Sequence, residues 1–235
     1  MTGVRLSIVI PALDEGRDLP LLLADLRGLE GPAREVIVVD GGSRDDTVAV
    51  AAAAGARVRT APRGRARQLN AGARAARGDW LLFLHADSRL GAEARQALRT
   101  VLERPTPFAA AVFRFAIDLP WGWKRFIERG QRLREALFAL PYGDQGLLVR
   151  RDAFEAAGGY PDLPIMEDVA LIRRLRRRHA IARLPAPLLT SGRRYREHGV
   201  LRTWLEHAAL IVLYHLGVAP ARLAAWRSGS SRSPA

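Results

Sequence analysis

The feature that most limits the fold of this chain is the alternation of short apolar runs with stretches of helical composition. The apolar runs lie at residues 4–10, 34–40, 57–59 and 80–85, and the helix-like stretches lie at 19–29, 45–54 and 66–76. Strands that alternate with helices across short connections are typical of a doubly wound, parallel sheet. The runs are continuously apolar, as strands are when helices cover both faces of a sheet. The sequence therefore predicts an α/β fold with a Rossmann-like, mostly parallel central sheet and helices on both faces.

The second half of the chain departs from this alternation after about residue 105. We expect strands at 108–115 and 146–150, and helices at 121–140, 152–157, 167–178 and 203–226. The pattern predicts one α/β domain over residues 1–188, with halves at 1–90 and 91–188. A helical C-terminal extension is expected at 189–226, followed by a disordered tail at 227–235.

The chain is strongly basic and contains no cysteine. Basic residues outnumber acidic ones by 37 to 24, which gives a formal net charge of +13. This balance favours nucleic acid, a phosphorylated small molecule or an anionic membrane as partner, although a bias toward arginine and alanine explains it equally well. The arginines are spread along the chain without a nucleic-acid-reading motif, so no nucleic-acid partner is predicted. A non-catalytic nucleic-acid-binding or scaffold protein remains the alternative. The lack of cysteine excludes disulfides, cysteine-ligated zinc and thiol catalysis.

Several segments bear on contact with a membrane. Residues 208–216 are apolar, but a span needs about 20 such residues, so a core helix or a membrane-surface helix fits better. The basic cluster at 193–196 could meet phosphates or lipid head groups, or be a solvated face. Trp121 and Trp123 could lie at an interface, line an acceptor pocket or pack in the core. Residues 4–10 are too short for a secretory leader, so we expect a cytoplasmic protein, with peripheral contact to the inner face of the cell membrane left open.

Polar residues follow three of the four first predicted strands, at the sheet edge where open α/β sheets bind ligands. They form the segments 11–15 (PALDE), 40–47 (DGGSRDDT) and 85–87 (HAD). Gly41 and Gly42 allow close approach of a ligand, and Ser43 with Asp46 resembles a helix-capping box. Capping leaves Asp40 free to accept hydrogen bonds from a base or a sugar. No GxGxxG or GxxxxGK[ST] loop occurs, which disfavours classical dehydrogenases and P-loop nucleotide hydrolases.

Two pairs of ionisable residues, one of histidine and aspartate and one of glutamate and aspartate, are candidates for catalytic or metal-binding roles. His85 and Asp87 stand two positions apart, so their side chains point to the same side of an extended chain. Together with a diphosphate they could hold a divalent cation, and these ligands suit Mg²⁺ or Mn²⁺. Glu167 and Asp168 open a predicted helix, where they either complement the helix dipole or supply a general base.

Taken in order, these segments resemble the motifs of family 2 glycosyltransferases with the GT-A fold. Residues 7–15 (SIVIPALDE) resemble the family's SVVIPTYNE, residues 38–47 its VVDDGSxDGT, residues 83–88 (FLHADS) its FLDADD, and residues 167–173 its ED…L…R. The run 64–72 (GRARQLNAG) also resembles the segment between the family's second acidic motif and its DXD motif. The ordered set covers roughly residues 5–180. The HAD variant of DXD indicates a small bacterial subfamily.

This resemblance implies metal-assisted transfer of a sugar, with inversion, from a UDP- or GDP-linked donor to the hydroxyl of an unknown acceptor. The apolar C-terminal helix and the basic surface suggest a lipid acceptor. Residues 1–90 would form the nucleotide-binding half, and residues 91–188 the acceptor half. A nucleotidyltransferase on a similar sheet is disfavoured, because no Gly-, Arg- or Lys-rich triphosphate loop follows the first strand.

The resemblance also implies roles for individual residues. Nucleotide contacts would come from Pro11, Glu15, Asp40, Arg67, Asn70, His85 and Ala86. Asp87 would ligate Mg²⁺ or Mn²⁺, Asp168 would be the catalytic base with Glu167 beside it, and Asp144 and Gln145 would approach the acceptor or the donor sugar. Two positions depart from the family pattern: Gly41 replaces an acid, and His85 replaces the first acid of DXD.

Overall fold

The computed structural model describes residues 6–29, 34–138 and 145–230. Within these ranges one sheet of eight strands has the order β3-β2-β1-β4-β7-β6-β8-β5. The strands are β1 (Leu6–Ala12), β2 (Arg34–Asp40), β3 (Arg57–Thr60), β4 (Trp80–Phe83), β5 (Ser88–Arg89), β6 (Ala110–Ile117), β7 (Leu147–Arg150) and β8 (Ile181–Thr190). The first four strands in the order pair in parallel, β7 runs antiparallel to β4 and β6, and β8 is parallel to β6 but antiparallel to β5. The predicted α/β class with a mostly parallel sheet is confirmed.

Helices cover both faces of this sheet and extend beyond it. They are α1 (Leu19–Arg27), α2 (Thr47–Ala53), α3 (Arg65–Ala75), α4 (Ala92–Glu103), α5 (Trp121–Phe138), α6 (Arg151–Ala156), α7 (Glu167–Arg176), α8 (Arg193–His198), α9 (Val200–His215) and α10 (Pro220–Ser230). Helices α1, α2 and α4 pack on one face of the sheet, and α3, α6 and α7 pack on the other.

The central strand β1 shows why the apolar runs are continuous. Ile8 and Ile10 point toward the layer that contains α1, while Val9 points toward α3, and all three are fully buried. A strand covered on both faces needs apolar residues at every position. Helix α3 approaches closely because it carries Gly72, where an added Cβ would lie 2.3 Å from Cγ1 of Val9. The tight α3–β1 packing fixes the helix that carries the 64–72 motif.

Strand β8 is the main element that the sequence pattern did not predict. Its segment contains Pro185 and Pro187, and proline lacks the N–H that a central strand must donate. The structure accommodates both because β5 pairs only with Thr190 and Leu189, which leaves the outer side of the rest of β8 without a paired strand in the described ranges. The β6–β8 ladder also shifts register between Val112 and Arg114.

The C-terminal region is helical, as expected, but its details differ. Helix α10 continues to Ser230, four residues into the segment that we expected to be disordered, and residues 231–235 lie outside the described ranges. The apolar run 208–216 belongs to α9, whose Leu210 and Ile211 are buried. Among the described residues, no helix is both long enough and apolar enough to cross a membrane.

Candidate active site

Hydrogen bonds from backbone N–H groups to side-chain oxygens join the loops that follow β1 and β2. The N–H of Asp14 donates to Oγ of Ser43 at 3.0 Å, and the Asp14 carboxylate accepts the N–H of Arg44 at 2.7 Å. The N–H of Glu15 donates to Oγ1 of Thr47 at 2.8 Å. Asp14 adopts a positive φ of 54°. A non-glycine residue holds this conformation only where its surroundings impose it, so the joined loops fix the direction in which Glu15 leaves the sheet edge.

Asp40 organises its own turn. Its carboxylate accepts the N–H groups of Gly42 and Ser43, each at 3.0 Å, and the Ser43 hydroxyl. The Asp40 carboxylate is therefore engaged within its own turn, and its expected contact with a base or a sugar stays a prediction. The capping box is also absent, because Asp46 stands at the N-cap of α2 without a side-chain capping bond. The short side chains and the glycines instead close a tight loop at the carboxyl end of β2.

The unusual Gly41 has a packing explanation. Gln68 of α3 is buried and donates from Nε2 to the carbonyls of Ala12 and Val39, both at 2.8 Å. A Cβ on Gly41 would lie 3.0 Å from Nε2 of this glutamine. An acid at position 41 would therefore displace Gln68, which supports the ends of β1 and β2 from below.

Arg67 and Asn70 contact the loop before α7 rather than the sheet edge. Arg67 forms an exposed ion pair with Asp162 at 3.0 Å. Asn70 exchanges two hydrogen bonds with the backbone of Tyr160: Nδ2 donates to the carbonyl at 2.7 Å, and Oδ1 accepts the N–H at 3.0 Å. Both side chains thus hold the 158–163 loop, and their expected contact with a nucleotide stays a prediction.

Arg65, which the sequence analysis did not single out, connects the same motif to the acidic pair. Its guanidinium forms an ion pair and hydrogen bond with Glu167, whose side chain is 1% exposed. Met166, directly before this pair, adopts a positive φ of 64° at the start of α7. The ion pair and the unusual turn together position Asp168, the second residue of α7. The only signal for Arg65 in the sequence was its place in the GRARQLNAG run.

A cavity of about 310 Å³ lies where these elements meet the C-terminal helices. Three predicted residues line it, namely His85, Asp87 and Asp168, and so does Arg65. The far wall comes from α5 and α8–α10 and includes Gln131, Arg194, Tyr195, His207, Leu210, Ile211 and Arg227. Pro11, Glu15, Asp40, Arg67, Asn70, Ala86, Gln145 and Glu167 are not among its lining residues. Gln145 is buried beside β7, and Asp144 lies outside the described residues.

Burial and neighbouring charges shift the pKa values of His85 and Asp87 in the cavity and of Glu15 near them. Burial and the charge of Arg65 lower the pKa of His85 to about 4, so this imidazole is neutral at pH 7. Burial raises the pKa of Asp87, and the charge of Arg193 partly opposes this. Burial and the nearby Asp87 raise the pKa of Glu15 to about 7. A positive charge near these partly buried carboxyl groups would stabilise their ionised forms.

Arg193 supplies one such positive charge. It donates to Asp18 at 2.8 Å and lies 3.8 Å from Oε2 of Glu15. The 193–196 cluster was expected to meet phosphates or lipid head groups, or to be a solvated face, whereas the structure places its first arginine against the acidic edge. The next residue, Arg194, pairs with Glu206 of α9 at 2.9 Å, and Tyr195 Oη lies 3.2 Å from Nδ1 of His207. These contacts attach α8 to α9 along the cavity.

The donor set at this edge fits a divalent cation only with help from a ligand. The described residues contain no group of three or more His, Asp or Glu side chains that could hold a metal. Asp87 supplies one carboxylate and His85 a neutral imidazole, both facing the cavity. Mg²⁺ and Mn²⁺ are commonly held by one or two carboxylates together with substrate phosphates. The site therefore fits a cation that arrives with, or is completed by, a diphosphate.

Comparisons with known proteins give the context of this cavity. Over 125 residues the chain is 33% identical to an uncharacterised glycosyltransferase of Mycobacterium tuberculosis, a match that covers 52% of this chain and 55% of that protein. Over 118 residues it is 37% identical to a TPR repeat-containing protein of Synechococcus elongatus, which covers 47% of this chain and 27% of that protein. The chain thus matches only about a quarter to a half of the length of these relatives.

Solved structures share the fold at low identity. The first 349 residues of Staphylococcus aureus TarS, in complex with UDP-GlcNAc, superpose with a TM-score of 0.62 at 15% identity, over 80% of this chain and 58% of that one. Glucosyl-3-phosphoglycerate synthase of M. tuberculosis, in complex with Mn²⁺, UDP and glucosyl-3-phosphoglycerate, superposes with a TM-score of 0.58 at 22% identity. This match covers 80% of this chain and 71% of that one. These likenesses confirm the expected GT-A fold. The family model for glycosyl transferase family 2 matches residues 7–157, and the chain belongs to this family.

Proposed function

We propose that this protein transfers a sugar from a nucleoside-diphosphate sugar to a hydroxyl group of an acceptor, with inversion at the anomeric carbon. The observation that carries the proposal is the convergence of His85, Asp87 and Asp168 on one cavity at the carboxyl edge of the sheet. Residues from two distant parts of the chain meet there, one set after β4 and the other at the start of α7. A donor and an acceptor can therefore be held against the same space.

The donor side of the cavity is suited to a diphosphate. Asp87, with His85 beside it, would hold Mg²⁺ or Mn²⁺, which when bound neutralises charge on the departing diphosphate. Neutral His85 can donate a hydrogen bond, and Arg65 brings a permanent positive charge to the same cavity. The two solved structures above are complexes with UDP-GlcNAc and with UDP. UDP-linked sugars are therefore the first donor class to test, and GDP-linked sugars the second.

The acceptor side supplies the base. Asp168 removes the proton of the acceptor hydroxyl while that oxygen attacks the anomeric carbon. The bond from this carbon to the diphosphate oxygen breaks, and the diphosphate leaves with the electron pair. Attack from the face opposite the leaving group inverts the anomeric centre. Glu167 is buried against Arg65, so we assign it a positioning role rather than contact with substrate.

The acceptor remains unidentified, and we propose a lipid-linked hydroxyl. Leu210 and Ile211 of α9 bring apolar surface to the cavity that Asp168 also lines. We further propose a cytoplasmic protein that contacts the inner face of the cell membrane peripherally. Nucleic acid is not a proposed partner, and the non-catalytic alternative is decided by the experiment below.

Calorimetric titration with UDP and with GDP, each with and without Mn²⁺, tests the donor site. We expect one nucleotide to bind in a metal-dependent way, and Asp87→Asn to abolish the metal dependence. Asp152→Asn is the matched control, because Asp152 is an exposed carboxylate outside the cavity. Binding of neither nucleotide under any condition, together with retention of duplex DNA at physiological salt, would replace the transferase proposal with the nucleic-acid alternative.

A further inference from the structure

The outer surfaces of α5 and α9 carry most of the exposed large apolar side chains among the described residues. We define the α5–α9 band by Trp121, Trp123, Phe126, Leu201, Leu205, Val212 and Leu216. Among the described side chains, ten large hydrophobic residues are exposed, and seven of them belong to this band. Such concentration on two helices is not the scattered exposure that ordinary surfaces show.

The α9 part of the band is a stripe along one side of the helix. Leu201, Leu205, Val212 and Leu216 are 53%, 58%, 45% and 75% exposed. Their spacings of four, seven and four residues place them within about 60° of arc at 100° per residue. The opposite side of α9 carries the buried Leu210 and Ile211. Helix α9 is therefore apolar on both sides, and only the inner side has a partner among the described residues.

Aromatic stacking joins this stripe to α5. The rings of Phe126 and Trp204 are 5.1 Å apart, and those of Trp123 and Phe126 are 6.2 Å apart. Trp204 reaches α5 because position 130 is glycine, where an added Cβ would lie 2.8 Å from Nε1 of the indole. Trp204 thus connects α9 to the aromatic residues of α5.

Positive charge borders the band. Arg125, Arg129 and Arg132 are exposed on α5 at spacings of four and three residues, which places them in one row. The guanidinium of Arg125 lies 4.7 Å from the ring centre of Trp121. Arg202 is exposed on α9 directly after Leu201. A second copy of the chain, itself at +13, would bring like charges together at this face, whereas an anionic surface would be attracted to it.

We propose that the α5–α9 band docks the protein on an anionic lipid bilayer. Tryptophan and phenylalanine enter the interfacial layer, and the arginines contact the lipid head groups. The inner sides of the same two helices line the cavity through Gln131 and Ile211, so docking brings the acceptor side of the cavity to the membrane. Docking deepens the peripheral membrane contact of the proposed function and names the surface that makes it. It does not depend on the proposed sugar transfer, on which only the presentation of a lipid acceptor rests.

Co-sedimentation with vesicles tests the docking. We would compare vesicles of phosphatidylcholine alone with vesicles that contain about 30% phosphatidylglycerol, at low and physiological salt. Leu201→Glu/Leu205→Glu places two charges in the band at exposed positions that should tolerate them. Leu21→Glu is the matched control, because Leu21 is a 46% exposed leucine on α1. Arg125→Gln/Arg129→Gln removes two border charges.

We expect binding to the anionic vesicles, with the partition coefficient at least tenfold lower in Leu201→Glu/Leu205→Glu and unchanged in Leu21→Glu. Removing the two arginines should weaken binding by about fivefold for each charge. Absence of binding at both salt concentrations would overturn the proposal, as would equal binding by the band variant. A dimer in light scattering that only the band variant abolishes would make a second copy the occupant. Nucleotide titration of the same variants keeps failure of docking distinct from failure of the donor site.

Discussion

Replacing Arg65 by methionine should expose how strongly the site depends on one buried ion pair. The Glu167 side chain is 1% exposed, whereas that of Arg65 is 41% exposed. Oε2 of Glu167 has no hydrogen-bond partner within the described part of the chain, so the Arg65 guanidinium is the principal compensation for the carboxylate charge. Removing one partner of a buried pair typically costs about 3–5 kcal/mol, because the other charge stays buried.

The two halves of the pair should behave unequally. Glu167→Met leaves an arginine that can reach water, so it should cost less than Arg65→Met, which leaves a carboxylate that cannot. The double variant Arg65→Met/Glu167→Met should recover most of the loss, because an apolar pair of similar volume carries no desolvation penalty.

Urea denaturation followed by tryptophan fluorescence measures these differences. With a slope near 3 kcal/mol/M, a loss of about 3–5 kcal/mol moves the midpoint by about 1–1.7 M. Arg67→Met is the matched control, because it removes an arginine from the same helix whose partner Asp162 is exposed, and exposed pairs contribute about 1 kcal/mol or less. If Arg65→Met lost no more than Arg67→Met, or if the double variant were no more stable than Arg65→Met, the reasoning would be refuted.

Four other substitutions have defined outcomes. Asp87→Asn and Asp168→Asn should each lower kcat/KM for sugar transfer at least about a hundredfold in a product-release assay, and activity near that of the wild type would remove the residue from the mechanism. Gly72→Ala should destabilise the fold by about 1–3 kcal/mol in urea, because the new Cβ meets Val9, and an unchanged midpoint would show that α3 can move away. Partial burial alone would raise the pKa of Glu35, but hydrogen bonds from Ser7 and from the backbone of the loop before β4, with an ion pair from β3, outweigh it and lower the pKa. Its stabilisation is thus present above the unfolded-state pKa and lost as pH falls through the folded one, so Glu35→Gln should flatten the acid limb of the stability curve below about pH 5.

The sequence predicted the parts of the fold that depend on local pattern. The runs around Ile8, Val38 and Leu82 are apolar at successive positions, so they identified buried parallel strands without any long-range information. Strand β8 escaped prediction because Pro185 and Pro187 argue against a strand. They are tolerated only because one side of β8 is largely unpaired, which is a property of the whole sheet and not of the segment.

The residues of the candidate site could also be predicted only in part from the sequence. His85, Asp87 and Asp168 were identified from motif spacing, and the structure brings them to one cavity. Asp40 was expected to be available to a ligand, but its carboxylate accepts hydrogen bonds from Gly42 and Ser43. Such competition between a ligand and the local backbone cannot be read from a motif, since the same residue types satisfy both.

The boundary of the family match separates two parts of the cavity. The match ends at residue 157, so it contains Arg65, His85 and Asp87 but neither Asp168 nor the wall formed by α8–α10. We propose that the part of the cavity within the match holds the donor, because His85 and Asp87 lie there. The wall beyond the match is built from side chains such as Tyr195 and His207, attached to each other at 3.2 Å. It follows that donor class should respond to changes within residues 7–157, and acceptor choice to changes in the helices that follow α7.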